Sequence, residues 1–164
     1  MPGRRLNLVT FDRHLHREIK ALQMPFSDII GNMVAISSRI KEENFKVEIK
    51  SPTGNVVIAD EPLSMGGKNL GFSPKELLAS ALAACTSATV KMYADRKIWN
   101  LKEVKLNIEL DYIANENKTI VESKIEFIGN LDDVQKERLL AVANACPVHK
   151  ILSKPVEINT QLIK

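Results

Sequence analysis

Cysteine and aromatic residues are scarce in this chain: two Cys, one Trp and 5% aromatics in 164 residues. So few rings exclude a base-stacking platform of the kind that binds single-stranded nucleic acid. Two cysteines are too few for a secreted disulfide framework and fit a reduced, cytoplasmic pair of thiols better. Charge of one sign is scarce as well: 23 basic and 20 acidic residues leave a net +3, scattered along the chain. Phosphate binding needs a concentrated basic face, so no nucleic-acid partner is expected. No uninterrupted apolar run reaches the roughly 18–20 residues of a membrane span, so no membrane partner is expected either. The start, MPGRRLNLVTFDRHLHREIK, is basic but has no apolar core or small-residue cleavage site, and is not read as a signal peptide. His14, His16 and His149 form no cluster with ligand spacing, so neither a metal nor a cofactor is expected. His14 and His16, two apart on a helix, do not share a face and read as surface residues.

What is present is ordinary for one globular domain: 45% hydrophobic and 26% charged residues, with length enough for a core. Residues 1–32 differ from the rest and read as an N-terminal arm. There a short helix begins at Thr10 or Asp12, with Leu15, Ile19 and Leu22 along one stripe. Residues 33–164 form the domain. NFKVEIKS alternates apolar and polar residues and NVVIAD follows the turn sequence SPTG, which predicts a hairpin. Residues 59–74 are a glycine-containing loop. A second hairpin pairs residues 104–114 with 119–129. Residues 131–145 read as an amphipathic helix turning Val134, Leu139, Leu140 and Ala143 inward, with an acidic first turn. PVHKIL is a short helical piece, and residues 155–163 read as a closing strand. Hairpins grouped apart from helices predict an α+β fold.

Between the hairpins, Ser73-Pro74-Lys75-Glu76 spells a helix start: a serine N-cap, proline at the first position and a glutamate that closes a capping box. No charged residue follows Glu76 until Lys91. A helix that is apolar all round must be covered on every side. One small sheet covers one side, so a second subunit is expected on the other, with this helix at the centre of a homodimer. Cys85 lies within it. Buried free cysteine commonly behaves as a small hydrophobe, and the surrounding Ala and Ser residues suit close packing equally well. The second cysteine changes the balance. In NACPVHKIL, Pro147 suits the first position of a new helix, which makes Cys146 its N-cap. Free N–H groups there favour thiolate. His149, at the third position, faces back toward the sulfur and is a candidate to share its proton.

GGKNLGFSPKELLASALAACTSATVKMYADRKIW followed by ACPVHKIL resembles the OsmC/Ohr superfamily of osmotically inducible and organic-hydroperoxide-resistance proteins, from about residue 34 to the C-terminus. The resemblance implies an intertwined α+β homodimer with antiparallel sheets around a long buried central helix. It also implies a peroxidatic Cys85 that becomes sulfenic acid, and a resolving Cys146 that closes a disulfide. A dithiol or low-molecular-weight thiol then restores both, and a small organic hydroperoxide is the substrate. The peroxidase branches carry a glutamate directly after the helix proline, which works with an arginine to hold the thiolate. Here that place is taken by Lys75. Glu76 points away from Cys85, since nine residues at about 100° each turn it roughly half-way round the helix. Lys75 lies nearer the sulfur's side and is a candidate cation. Arg39, on the first expected strand, is the best match to the family's arginine. The CPVH form is more similar to the less characterised OsmC-like branch.

Two function classes result. The first is a cysteine-based thiol peroxidase that reduces organic hydroperoxides, with Cys85 and Cys146 as its working pair and His149, Lys75 and Arg39 as candidates to tune the thiolate. The alternative has no peroxidase activity: a small apolar ligand-binding or redox-sensing module, or a thiol–disulfide reductase.

Overall fold

The computed structural model describes residues 34–42 and 44–163. The N-terminal arm and its expected helix, with His14 and His16, lie outside these residues.

Three short strands, β1 (Ser37–Ile40), β2 (Val47–Lys50) and β3 (Val56–Ala59), form an antiparallel meander in the order β1-β2-β3. Val47 pairs with Ala59, and Lys50 with Val56. The expected SPTG turn joins β2 to β3, with the Gly54 N–H donating to the Ser51 carbonyl at 3.0 Å.

The loop after β3 is organised by a buried carboxylate. Asp60 is 1% exposed and accepts backbone N–H bonds from Glu61 (2.9 Å), Lys68 (3.0 Å) and Leu70 (3.1 Å). Burial pushes its pKa up, but these three donors together outweigh burial and hold the carboxyl below its ordinary range. Two glycines make the wrap possible. A side chain on Gly67 would overlap the Glu61 carbonyl, and one on Gly71 that of Ile58.

The loop delivers the chain to Ser73, the N-cap of α1 (Pro74–Arg96). The expected capping box is complete: Ser73 Oγ accepts from the Glu76 N–H, and Glu76 Oε2 accepts from the Ser73 N–H at 2.7 Å. At its other end the helix closes with the Ile98 N–H on the Asp95 carbonyl and the Trp99 N–H on that of Ala94, the paired bonds of a Schellman motif. Ile98 occupies the left-handed position at φ 57°, where glycine is usual, and is 92% exposed.

β4 (Asn100–Ile113) and β5 (Lys118–Asn130) make a long antiparallel hairpin through a left-handed Asn117. It extends beyond both expected strands. Helix α2 (Asp133–Ala143) starts at a second capping box, Asp132 with Gln135, and α3 (Pro147–Leu152) follows at once. Helix α1 packs against β4, α2 and α3. The core is Leu82, Val90, Tyr93 and Ala94 of α1 with Leu101, Leu139, Val142, Ala143 and Cys146.

Three expectations are corrected. In α2 the inward residues are Leu139, Val142 and Ala143, whereas Val134 is 76% and Leu140 47% exposed. The buried stripe is narrower than apolar character alone suggests, because the single chain covers only one side of this helix. Residues 155–163 form no strand. Val156, Ile158, Leu162 and Ile163 alternate as a strand would, but they stand exposed and pair with no sheet edge among the described residues. Lastly, α1 is long and apolar enough to cross a membrane by length and composition. Its apolar character serves a packed fold instead, since Leu82, Thr86, Val90, Tyr93 and Ala94 are buried against the chain's own core.

The opposite side of α1 is open. Leu78 is 42% and Met92 40% exposed, and Ala81, Ala84 and Ala88 between them are also exposed.

Candidate functional site

Two structural accidents of sequence bring the sulfurs together. Small residues around Cys85 let α1 lie close to its neighbours, and Pro147 breaks the chain after α2 so that α3 begins beside α1. Both cysteines are free thiols, Cys146 wholly buried and Cys85 half-buried.

Cys146 is the N-cap of α3, as the proline placement predicts, with extended backbone at φ −63° and ψ 150°. Its Sγ accepts the His149 backbone N–H at 3.3 Å. A second contact comes from across the core: Thr86 Oγ1 lies 3.3 Å from the same sulfur. Thr86 is itself 7% exposed. This resolving-cysteine candidate is therefore held on two sides.

Cys146 lies near enough to the Cys85 thiol to act on it by charge. Burial is the largest influence and pushes the Cys85 thiol up from its ordinary value, with Cys146 adding to the effect. The Val148 backbone and the Thr89 side chain pull the other way without reversing it. The first turn of α3 thus bears on both sulfurs: the Val148 backbone lowers the pKa of Cys85, and the His149 N–H donates to Cys146 Sγ.

Of the other expected site residues, His149 alone touches a cysteine. His149 reaches Sγ through its backbone N–H. It also lines a cavity of about 420 Å³ with Leu82, Asn144, Leu152 and Ser153 of the helical side and β5 residues, a cavity in which neither cysteine takes part. Lys75 is exposed at the second position of α1. Ten residues at about 1.5 Å of rise each place it roughly 15 Å along the axis from Cys85, beyond a lysine's reach. Within one chain it does not contact the sulfur. Arg39 lies on the exposed β1 and pairs with Glu48 at 3.7 Å, a pairing that Lys50 reinforces at 2.9 Å. Glu76 is occupied by its capping box, which holds its carboxyl below the ordinary range chiefly through the Ser73 N–H. No cation is among the described groups that act on Cys85.

Sequence reasoning missed Thr86, Thr89 and Val148. Two of these are hydroxyls hidden among small packing residues, and the third acts through its backbone, which carries no side-chain signal. The CTSAT run was the available clue: Thr86 follows Cys85, and Thr89 lies one helical turn beyond it, on the sulfur's side of α1.

The OsmC-like protein family pattern matches residues 66–161, which include both cysteines. No curated protein matches the chain. Among solved structures, the OsmC-like protein of Mycoplasma pneumoniae is 22% identical, with a TM-score of 0.64 over 74% of this chain and 88% of that one. The organic hydroperoxide resistance protein OsmC of Legionella pneumophila is 20% identical, with a TM-score of 0.56 over 74% of this chain and 89% of its own. The organic hydroperoxide resistance protein OhrB of Bacillus subtilis is 18% identical, with a TM-score of 0.52 over 73% of this chain and 90% of its own. At these identities the structures speak to the fold, which is the expected α+β arrangement of antiparallel sheets and a long central helix. The family match spans more than half of the chain: it belongs to the OsmC-like protein family.

Proposed function

We propose that this protein is a thiol peroxidase for organic hydroperoxides, with Cys85 as the peroxidatic and Cys146 as the resolving cysteine. The observation that supports the reading most directly is that two free thiols from different helices are near enough for Cys146 to act on Cys85. The Cys85 thiolate attacks the outer peroxide oxygen. The O–O bond breaks, the alkoxide leaves and takes up a proton as alcohol, and Cys85 becomes sulfenic acid. Cys146 then attacks the sulfenic sulfur. The S–S bond forms, the S–O bond breaks, and hydroxide leaves with the Cys146 proton as water. A dithiol or low-molecular-weight thiol reopens the disulfide by exchange.

A thiol raised by burial is a slow nucleophile, so the reading requires a cation near Cys85. In this reading a second copy of the chain supplies it. The open stripe of Leu78, Ala81, Ala84, Ala88 and Met92 is the face that copy covers, and Arg39 is the guanidinium it brings. A homodimer is in keeping with the unpaired, alternating C-terminal segment as well. The half-buried, apolar setting of Cys85 favours fatty-acid or aromatic hydroperoxides over hydrogen peroxide.

The raised Cys85 thiol also favours a second reading, a redox-sensing pair that closes its disulfide slowly and stoichiometrically without turnover. Turnover separates them. With dithiothreitol as reductant, the peroxidase consumes many equivalents of cumene hydroperoxide, and faster than hydrogen peroxide. Consumption that stops at one equivalent with excess reductant present identifies the sensor. Equal rates on the two oxidants contradict the substrate assignment.

A further inference from the structure

Thr86 has no part in the scheme above, yet it is one of the few buried polar side chains and its hydroxyl is spent on a sulfur. Threonine tolerates a helix interior poorly because of its branched Cβ, and a buried hydroxyl must find a partner. Valine has the same shape without that requirement. The partner found is Cys146 Sγ, 3.3 Å away and contributed by the junction between α2 and α3.

The geometry around that sulfur is complete. Thr86 holds it on one side and the His149 N–H on another, and Cys85 is near enough to feel its charge. Thr86 is the residue next to Cys85 on α1, so one helix turn carries the reacting sulfur and the group that steadies its partner. We propose that Thr86 is a positioning residue for disulfide formation, its hydroxyl fixing the Cys146 sulfur so that a lone pair is directed at Cys85. The assignment rests on the reading of Cys146 as the resolving cysteine. It concerns the second step alone: Cys146 Sγ attacks the sulfenic sulfur, S–S forms, S–O breaks, and the hydroxide departs with the Cys146 proton. Thr86 undergoes no covalent change. Its hydroxyl offers Sγ a hydrogen bond whichever of the two is protonated, donating to thiolate or accepting from thiol.

The test compares wild type, Thr86→Val and Thr86→Ser at the level of single steps. Reduced protein is mixed with one equivalent of cumene hydroperoxide, and samples are quenched into dimedone, which traps sulfenic acid, and into iodoacetamide, which counts free thiols. For Thr86→Val, sulfenic acid should form within about twofold of the wild-type rate, while its conversion to disulfide slows about tenfold. That is the size of effect expected when one hydrogen bond of ordinary strength is removed from a reacting group. Thr86→Ser should recover most of the second step. Equal second-step rates in wild type and Thr86→Val overturn the proposal. So does a Thr86→Ser variant as slow as Thr86→Val, which would assign the effect to packing. The same series is repeated with diamide, which takes the two thiol hydrogens to become a hydrazine and closes the disulfide without any peroxide chemistry. If wild type is inert to hydroperoxide, the peroxidase reading fails. The diamide arm then decides for Thr86 alone: slower closure in Thr86→Val restored by Thr86→Ser supports it, and identical closure in all three overturns it.

Discussion

The two cysteines belong to unlike regions. Cys146 sits at the junction of two helices, fully buried, its sulfur holding an N-cap bond and a threonine hydroxyl. Cys85 sits in mid-helix, half-buried, with burial dominating its chemistry. One region is finished within a single chain, whereas the other leaves its open side to something else. A resolving thiol needs a fixed position more than it needs access. A peroxidatic thiol needs access and a charge to balance its own. In the proposed reading, the difference between the regions is the difference between those requirements.

The strongest break of that asymmetry is Cys85→Ser, expected to lower turnover of cumene hydroperoxide by at least about 10³-fold, since the attacking thiolate is gone. Cys146→Ser should instead leave the first reaction step near wild-type and stop at sulfenic acid, visible as a dimedone adduct on Cys85. Loss of that first step in Cys146→Ser would make the two regions equivalent and contradict the comparison.

A second contrast is thermodynamic. Because Cys146 is a cap, Cys146→Ala should cost about 1 kcal/mol through the lost N-cap bond, beyond any effect of reduced volume. Cys146→Ser, which restores a capping oxygen, should recover much of it in urea unfolding. At Cys85 there is no capping bond to lose, so Ser and Ala there should differ far less. Equal losses for Ser and Ala at position 146 would contradict the capping role.

Acidity sharpens the comparison further. The folded-state pKa of Cys85 is raised, so its proton contributes stability in full below the unfolded value of about 8.5. That contribution is lost as pH rises through the folded value. Alkylation of Cys85 by iodoacetamide should therefore keep accelerating above pH ~8.5, where a free cysteine levels off. In a dimer that brings Arg39 to the sulfur, the profile should shift to lower pH, and Arg39→Gln should shift it back. A profile of free-cysteine shape that Arg39→Gln does not alter would remove both influences assigned to this region.

The smallest expected effect lies outside both regions. Ile98 ends α1 in a left-handed conformation that costs a β-branched residue roughly 1–2 kcal/mol relative to glycine. Ile98→Gly should stabilise the fold by about 1 kcal/mol, since glycine's greater unfolded-state freedom takes back part of the gain. It should leave the reactions of both sulfurs unchanged. A drop in melting temperature would mean that the exposed side chain has a partner.

The elements with local chemistry were legible in the sequence. The Ser73-Pro74-Glu76 start, the SPTG hairpin and the Cys146-Pro147 cap each depend on residues within one turn, and each forms as written. Illegible were the properties set by what lies across the core. Val134 and Leu140 have an apolar character that suits an inward position, but both stand exposed, with no described residue burying them. Residues 155–163 alternate like a strand without an edge to join. Thr86 carried no signal, because a hydroxyl in a run of small residues reads as packing until its partner is located. Lys75 and Arg39 were chosen by analogy of position, and a helix rise and a separate sheet keep them from Cys85 within the chain.

The central claim, that Cys85 and Cys146 are one redox pair, is tested most directly by the mass of the intact reduced protein after one equivalent of cumene hydroperoxide. The account predicts a loss of about two daltons, restored by dithiothreitol and absent from both single cysteine variants. A protein of unchanged mass with both thiols free, or one that gains oxygen on Cys85 while Cys146 remains free, would contradict it.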